Sequence, residues 1–211
     1  DVIYALTLKN SKLCMHDFRM FSVWLANRTF CFDVNADFRG PLSNLKAKYF
    51  NAVSGNGTNL KLKYGLVGLP NVSQLLNTFD FEHSVIAMSD LQEIMPELVL
   101  PKTVIGIGLV NLNGQLDVPM GSLSWNGDIK TDMGHMNGLM DLNYTNEKLP
   151  LQYMMNVNID SVNWLHFLPQ ASFLGKANMG VYLKGSGFDE HASFEYDINT
   201  SSYTLNQRKF I

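Results

Sequence analysis

The densest run of ionisable side chains is Asp189-Glu190-His191, directly after the glycine-rich GSGF of Gly185–Phe188. Two carboxylates beside an imidazole could hold a cation or pass a proton. Following a glycine turn, their ordinary reading is a solvated loop. The other histidines, His16, His83, His135 and His166, fall in separate stretches with no ligand spacing between them. The sequence holds no GxSxG, HExxH or phosphate-loop pattern, and GIGLVN at Gly106–Asn111 lacks the third glycine and the following helix of a dinucleotide fingerprint. Trp24, Trp125 and Trp164 are too dispersed for a stacking platform. The expectation is a protein that is not an enzyme and uses no metal or cofactor.

Cys14 and Cys31 lie in strand-like runs. They could pair, although two cysteines in 211 residues make no disulfide framework, and small half-buried hydrophobes is the simpler reading. The chain is 46% hydrophobic and 17% charged, with net charge −3, so it has no basic surplus for phosphates and is not expected to bind nucleic acid. No apolar run reaches the length of a membrane-spanning helix, and no signal peptide is visible. Beginning at Asp1 rather than Met, the chain reads as a piece of a longer protein whose anchor or export signal would lie outside it.

The elements that would position any site are strands. In FCFDVNADF, Phe30, Phe32, Val34, Ala36 and Phe38 alternate with Cys31, Asp33, Asn35 and Asp37, a period-two pattern with one apolar face. TNLKLKY repeats it with Leu60, Leu62 and Tyr64, and LQYMMNVNI with Leu151, Tyr153, Met155, Val157 and Ile159. KANMGVYLKG adds Ala177, Met179, Val181 and Leu183 on one side. VIGIGLVNL, Val104–Leu112, reads as a further strand with Gly106 and Gly108 on its inward row. Turns are expected at Gly40, Gly114 and Gly185, and at SGNG (Ser54–Gly57), WNGD (Trp125–Asp128) and GSG (Gly185–Gly187). Short helices are expected near Val72–Leu76, Asp90–Met95 and Ser161–Phe167, with Ser89 and Asp160 as N-caps of the last two.

Phe38 aligns with Leu112 and Gly40 with Gly114, and later segments align in the same order at offsets of 71–74 residues. The fold class expected is all-β: an elongated, curved antiparallel sheet, either a β-taco groove or an open sandwich, built from repeats of about 72 residues with short helices. One β-groove region would fill residues 1–211, divided into units 1–29 (partial), 30–103, 104–174 and 175–211 (partial).

Left in water, each large apolar side chain of such a face would forgo roughly 1.5–3 kcal/mol, so something must cover it. One outcome is a trough holding acyl chains, lined by Phe30, Phe32, Val34, Phe38, Leu60, Leu62, Tyr153, Met155, Val157, Ile159, Met179, Val181 and Leu183. Met133, Met136, Met140, Met154 and Met155 would make the lining adaptable. The alternative is a closed β-sandwich, a non-enzymatic surface-binding or adhesin-like module with ligands at loop tips such as Ser54–Asn59 and Ser186–His191. A third is a chaperone offering a sheet edge to client strands.

The order of a strand, a G-x-L turn followed by NLKAK, GLVGLPN, and a strand entering SDLQEIMPELVLP, then LGK and LKGSGFD, resembles the TamB-like branch of the AsmA superfamily, especially its large Bacteroidota members. The likeness is clearest from Phe30 to Asp189, and YALTLKNSKLCMHDFRMF is similar to that family's N-terminal strand pair. It implies a segment of a periplasmic protein held in the inner membrane of a Gram-negative bacterium. It also implies a role in phospholipid transport and outer-membrane biogenesis along an apolar β-groove. An outer-membrane barrel-assembly partner would be met through a C-terminal region not in this chain. The resemblance carries no catalytic residues.

Overall fold

The computed structural model describes residues 2–18, 29–94, 105–144, 150–163, 174–187, 192–205 and 208–210. Among these residues the chain is all-β, with one short α-helix. The first strands are β1 (Tyr4–Cys14), β2 (Cys31–Gly40), β3 (Asn44–Val53), β4 (Asn59–Val67) and β5 (Leu76–Ala87), after which comes α1 (Met88–Ile94). Then follow β6 (Leu109–Pro119), β7 (Ser122–Thr131), β8 (Gly134–Asn143), β9 (Gln152–Asn163), β10 (Leu174–Ser186), β11 (Ser193–Leu205) and β12 (Arg208–Phe210). Sheet order equals chain order from β1 to β12, an open meander without crossovers. The tight links between β2 and β3, β3 and β4, β6 and β7, and β7 and β8 permit only antiparallel steps, because a parallel step would need a long crossover. All twelve strands belong to one sheet.

The chain divides into two compact units, residues 1–113 and 114–211. In the first, Val34 pairs with Ala52 and Ala52 with Leu60, while Ala36 pairs with Phe50 and Phe50 with Leu62. Directly opposed residues share a face, so the alternating rows of β2, β3 and β4 merge into one apolar surface. Val34, Ala36 and Ala52 form its fully buried centre, packed by Leu8, Leu13, Phe32, Phe38, Phe50 and Leu60. In the second unit Met136, Ile159 and Met179 form one such row, and Met140, Met155 and Leu183 another.

Several local expectations are overturned. Gly40 does close β2, but Gly114 lies inside β6 rather than at a turn in phase with it. At φ +150° its backbone runs so close to β7 that a β-carbon would land on the Asn126 carbonyl oxygen and the Gly127 Cα. Glycine is there for close approach, not for reversal. WNGD is strand interior in β7, and the reversal comes at Thr131–Gly134. Its alternation with Leu123 and Ile129 outweighs the Asn-Gly turn signal. Gly185 is likewise still within β10, and Gly187 follows the strand. β6 starts only at Leu109, so Gly106 and Gly108 precede the strand instead of lining it. Asp160 lies within β9 rather than capping a helix, Ser161–Asn163 are the strand's last residues, and 164–167 lie outside the described residues. SGNG is a turn as expected, and 3-10 and α-helical pieces occupy Val72–Gln74 and Met88–Ile94.

Cys14 and Cys31 face each other across β1 and β2 and are joined by a disulfide, so the reading of two unpaired half-buried thiols is corrected. Strand register, which pairs them directly, is a tertiary property that spacing alone does not reveal. Cys14→Ser/Cys31→Ser should cost about 2–3 kcal/mol, the loop-closure value for a separation of this size. Urea unfolding with and without reductant checks it: reductant should shift the wild-type midpoint and leave that of the double variant unchanged.

Candidate functional site

In the first unit Phe32, Val34 and Phe38 on β2, with Phe30 just before it, and Leu60 and Leu62 on β4 fall on the same face. Phe30, Val34 and Leu62 are buried, whereas Phe32, Phe38 and Leu60 are half-buried. β3 lies between these strands and contributes Ala47, Phe50 and Ala52. An aromatic chain continues across the face. Phe38 meets Phe50 and Tyr64, each at 6.3 Å between ring centres, Tyr64 meets Phe79 at 5.2 Å, and Phe79 meets Phe81 at 6.4 Å. Edge-on and offset rings at these separations attract one another and leave the surface apolar. Its polar atoms are matched within it: the Tyr64 hydroxyl donates to Asn77 Oδ1 at 2.8 Å, and burial pushes its pKa up.

In the second unit Tyr153, Met155, Val157 and Ile159 on β9 and Met179, Val181 and Leu183 on β10 again share one face. Val157 pairs with Val181, and Ile159 with Met179. On β7 and β8, Leu123, Trp125, Ile129, Met136, Met140 and Leu142 extend the same surface. Met154 belongs to the opposite face, beside Asp141 and Lys184, and leaves the expected lining. Exposure rises across this surface from 2% at Val157 to 61% at Phe194, 64% at Tyr196 and 52% at Ile198 on β11. The cause is topological. β12 pairs only with Tyr203–Leu205, so most of β11 has a neighbouring strand on one side alone.

All thirteen residues expected to line a groove therefore gather onto one apolar face in each unit. The sequence reading left out Ala47, Ala52, Trp125 and the aromatic residues of β5. LNTFDFEHSVIA carries Phe79 and Phe81 in period two and was legible on that basis. Ala47 and Ala52 are too small to mark a face by type, and only their pairing with Phe38, Val34 and Leu60 does so.

Polar side chains hold the framework. The Ser54 hydroxyl donates to Asp90 Oδ2 and accepts from the Thr58 N–H at 3.2 Å, while Thr58 Oγ1 accepts from the Ala87 N–H at 2.9 Å. This ties the β3–β4 turn to the start of α1, where Asp90 provides the anchoring carboxylate, while Ser89, expected as the N-cap, lies within the helix. Burial works to raise the Asp90 pKa, but hydrogen bonds from Ser54, Thr58 and Asn56 outweigh it, and the carboxyl sits below its ordinary value. On the polar face of the second unit, His135 Nε2 lies 2.9 Å from Asp128 Oδ1 and His135 Nδ1 lies 3.6 Å from Asp160 Oδ2. Asn137 Nδ2 also donates to Asp128, and hydrogen bonds from His135 and Asn137 hold that carboxyl below its usual range.

Among the described residues no group of three His, Cys, Asp or Glu side chains is arranged to hold a metal ion. Glu190, His191 and Asp189 lie outside the described residues. No helix among the described residues is long and apolar enough to cross a membrane. Comparison with protein-family models, with curated proteins and with solved structures finds no match to the chain.

Proposed function

We propose that the chain is a lipid-binding segment of a periplasmic, inner-membrane-anchored protein similar to the TamB-like AsmA family, in which an apolar sheet face holds phospholipid acyl chains on their way to the outer membrane. It acts without catalysis or cofactor. The observation that carries the reading is the continuity of the apolar face across neighbouring strands in each unit, half-buried at Phe32, Phe38, Met155 and Leu183 and open at β11. An acyl chain forms no hydrogen bonds and gains about 0.8 kcal/mol for each CH₂ it buries, so it needs breadth and adaptability rather than placed polar groups. Phenylalanine, leucine and methionine on a continuous face supply both. The Cys14–Cys31 disulfide supports an oxidising compartment such as the periplasm. An outer-membrane barrel-assembly partner belongs to this reading through a region outside the chain.

The experiment is lipid co-purification with Phe32→Asp and Leu183→Asp, both at half-buried positions that tolerate a charge better than fully buried Val157 would. Each variant should retain a strand-rich far-UV spectrum and lose most of the phospholipid recovered with the wild-type chain. Equal lipid in wild type and both variants would remove the assignment.

A further inference from the structure

The opposite, polar face of the second unit carries an ordered array that acyl-chain binding does not use. Register places Asp128, Asn137, Asn158, Gly180 and Asn199 directly across from one another in a single row over β7 to β11. Flanking it on the same face, Asn156 pairs with Tyr182 and Tyr182 with Asp197, while on the other flank His135 pairs with Asp160. An open depression of about 710 Å³ lies here, lined by His135, Asn137, Asn158, Asp160, Gly180 and Asn199, among others.

Gly180 makes the floor. A β-carbon added there would meet only Asn158 Oδ1, at 3.6 Å, so the row has a gap with bare backbone at its base. The gap is bracketed by the exposed amides of Asn158 and Asn199, neither of which bonds another side chain among the described residues. Their strands lie two spacings apart, roughly 9–10 Å, enough for one ring of a sugar between them. Each amide offers two donors and an acceptor, which matches hydroxyl groups that both give and accept. Three carboxylates stand at the rim: Asp128 accepts from His135 and Asn137, Asp160 lies beside His135, and Asp197 is across from Tyr182. Their negative charge disfavours an anionic ligand, and the amides of Asn158 and Asn199 are the recognition groups beside the gap. Tyr182, two residues along β10, adds an amphipathic ring at the flank. The row advances one strand spacing per position, about 4.8 Å, and an extended β-linked glycan advances by a closely similar step per sugar.

We infer that this face binds a neutral β-linked glycan laid across the strands, one sugar seated over Gly180 between Asn158 and Asn199. The inference is independent of lipid binding on the other face. The test is affinity electrophoresis of the full chain through gels containing hydroxyethylcellulose, mixed-linkage β-glucan or glucomannan, with polygalacturonate as the acidic comparison. At least one neutral glycan should retard the wild type. Gly180→Val, which fills the gap, and Asn199→Ala, at an exposed position on β11, should each weaken that binding at least tenfold with unchanged far-UV spectra and melting temperature. Should Gly180→Val not fold, Asn199→Ala and Asn158→Ala decide the matter alone. No retardation by any neutral glycan, retardation by polygalacturonate only, or equal retardation of wild type and folded variants would overturn it.

Discussion

Asp90→Ala should lower the unfolding free energy of the first unit by about 3–5 kcal/mol, because it strands several buried donors at once. Asp90 is 0% exposed, and the Ser54 hydroxyl donates to it. Ser54 in turn accepts from the Thr58 N–H and receives support from a backbone bond, its own N–H donating to the Thr58 carbonyl at 2.9 Å. Without the carboxylate, the turn has no charged acceptor and α1 has no anchor. Because the folded-state pKa of Asp90 lies below the ordinary value, the folded protein binds fewer protons in acid than the unfolded chain does. Its contribution is therefore present above the ordinary carboxylate range and is lost as pH falls through the depressed folded value. Urea midpoints measured from neutral to acid pH check both parts. The wild type should lose stability more steeply than Asp90→Asn, and equal slopes would contradict the linkage.

Gly138→Val should be the more damaging of the two, costing about 4 kcal/mol or more and preventing β8 and β9 from pairing. Gly138 has φ +146°, where a branched residue is strained, and its β-carbon would land on the Asn156 carbonyl oxygen and 2.7 Å from the Val157 Cα. The atoms in the way are backbone, so no rotamer change relieves them. Gly127, Gly138 and Val157 form one row, and the two glycines leave space beside the most deeply buried side chain of the second unit's apolar face. Loss of protection at Val157 in hydrogen exchange, with β2–β4 of the first unit retained, is the expected signature.

Period-two alternation is enough to identify β2, β4, β9 and β10 and the apolar face of each, because each strand buries one face and the apolar residues mark it. Turn chemistry was a poorer guide. Asn126-Gly127 reads as a reversal by type, yet it sits within β7 because Leu123, Trp125 and Ile129 keep their period through it. Gly114 likewise owes its type to the neighbouring strand, which no local window contains. The disulfide, the Ser54–Asp90 bond and the polar row of β7 to β11 all depend on register. Their members are separated in sequence by intervals that carry no signal until the strands are paired. Alanines 47 and 52 were illegible for a different reason: a small side chain fits either face.

Mass spectrometry of an organic extract of the purified chain tests the lipid-binding claim most directly. Phospholipid should be recovered at a fixed ratio to protein and should be depleted when Phe32 or Leu183 becomes aspartate. An extract free of phospholipid, from chain expressed in a Gram-negative periplasm and shown to be folded, would contradict the claim.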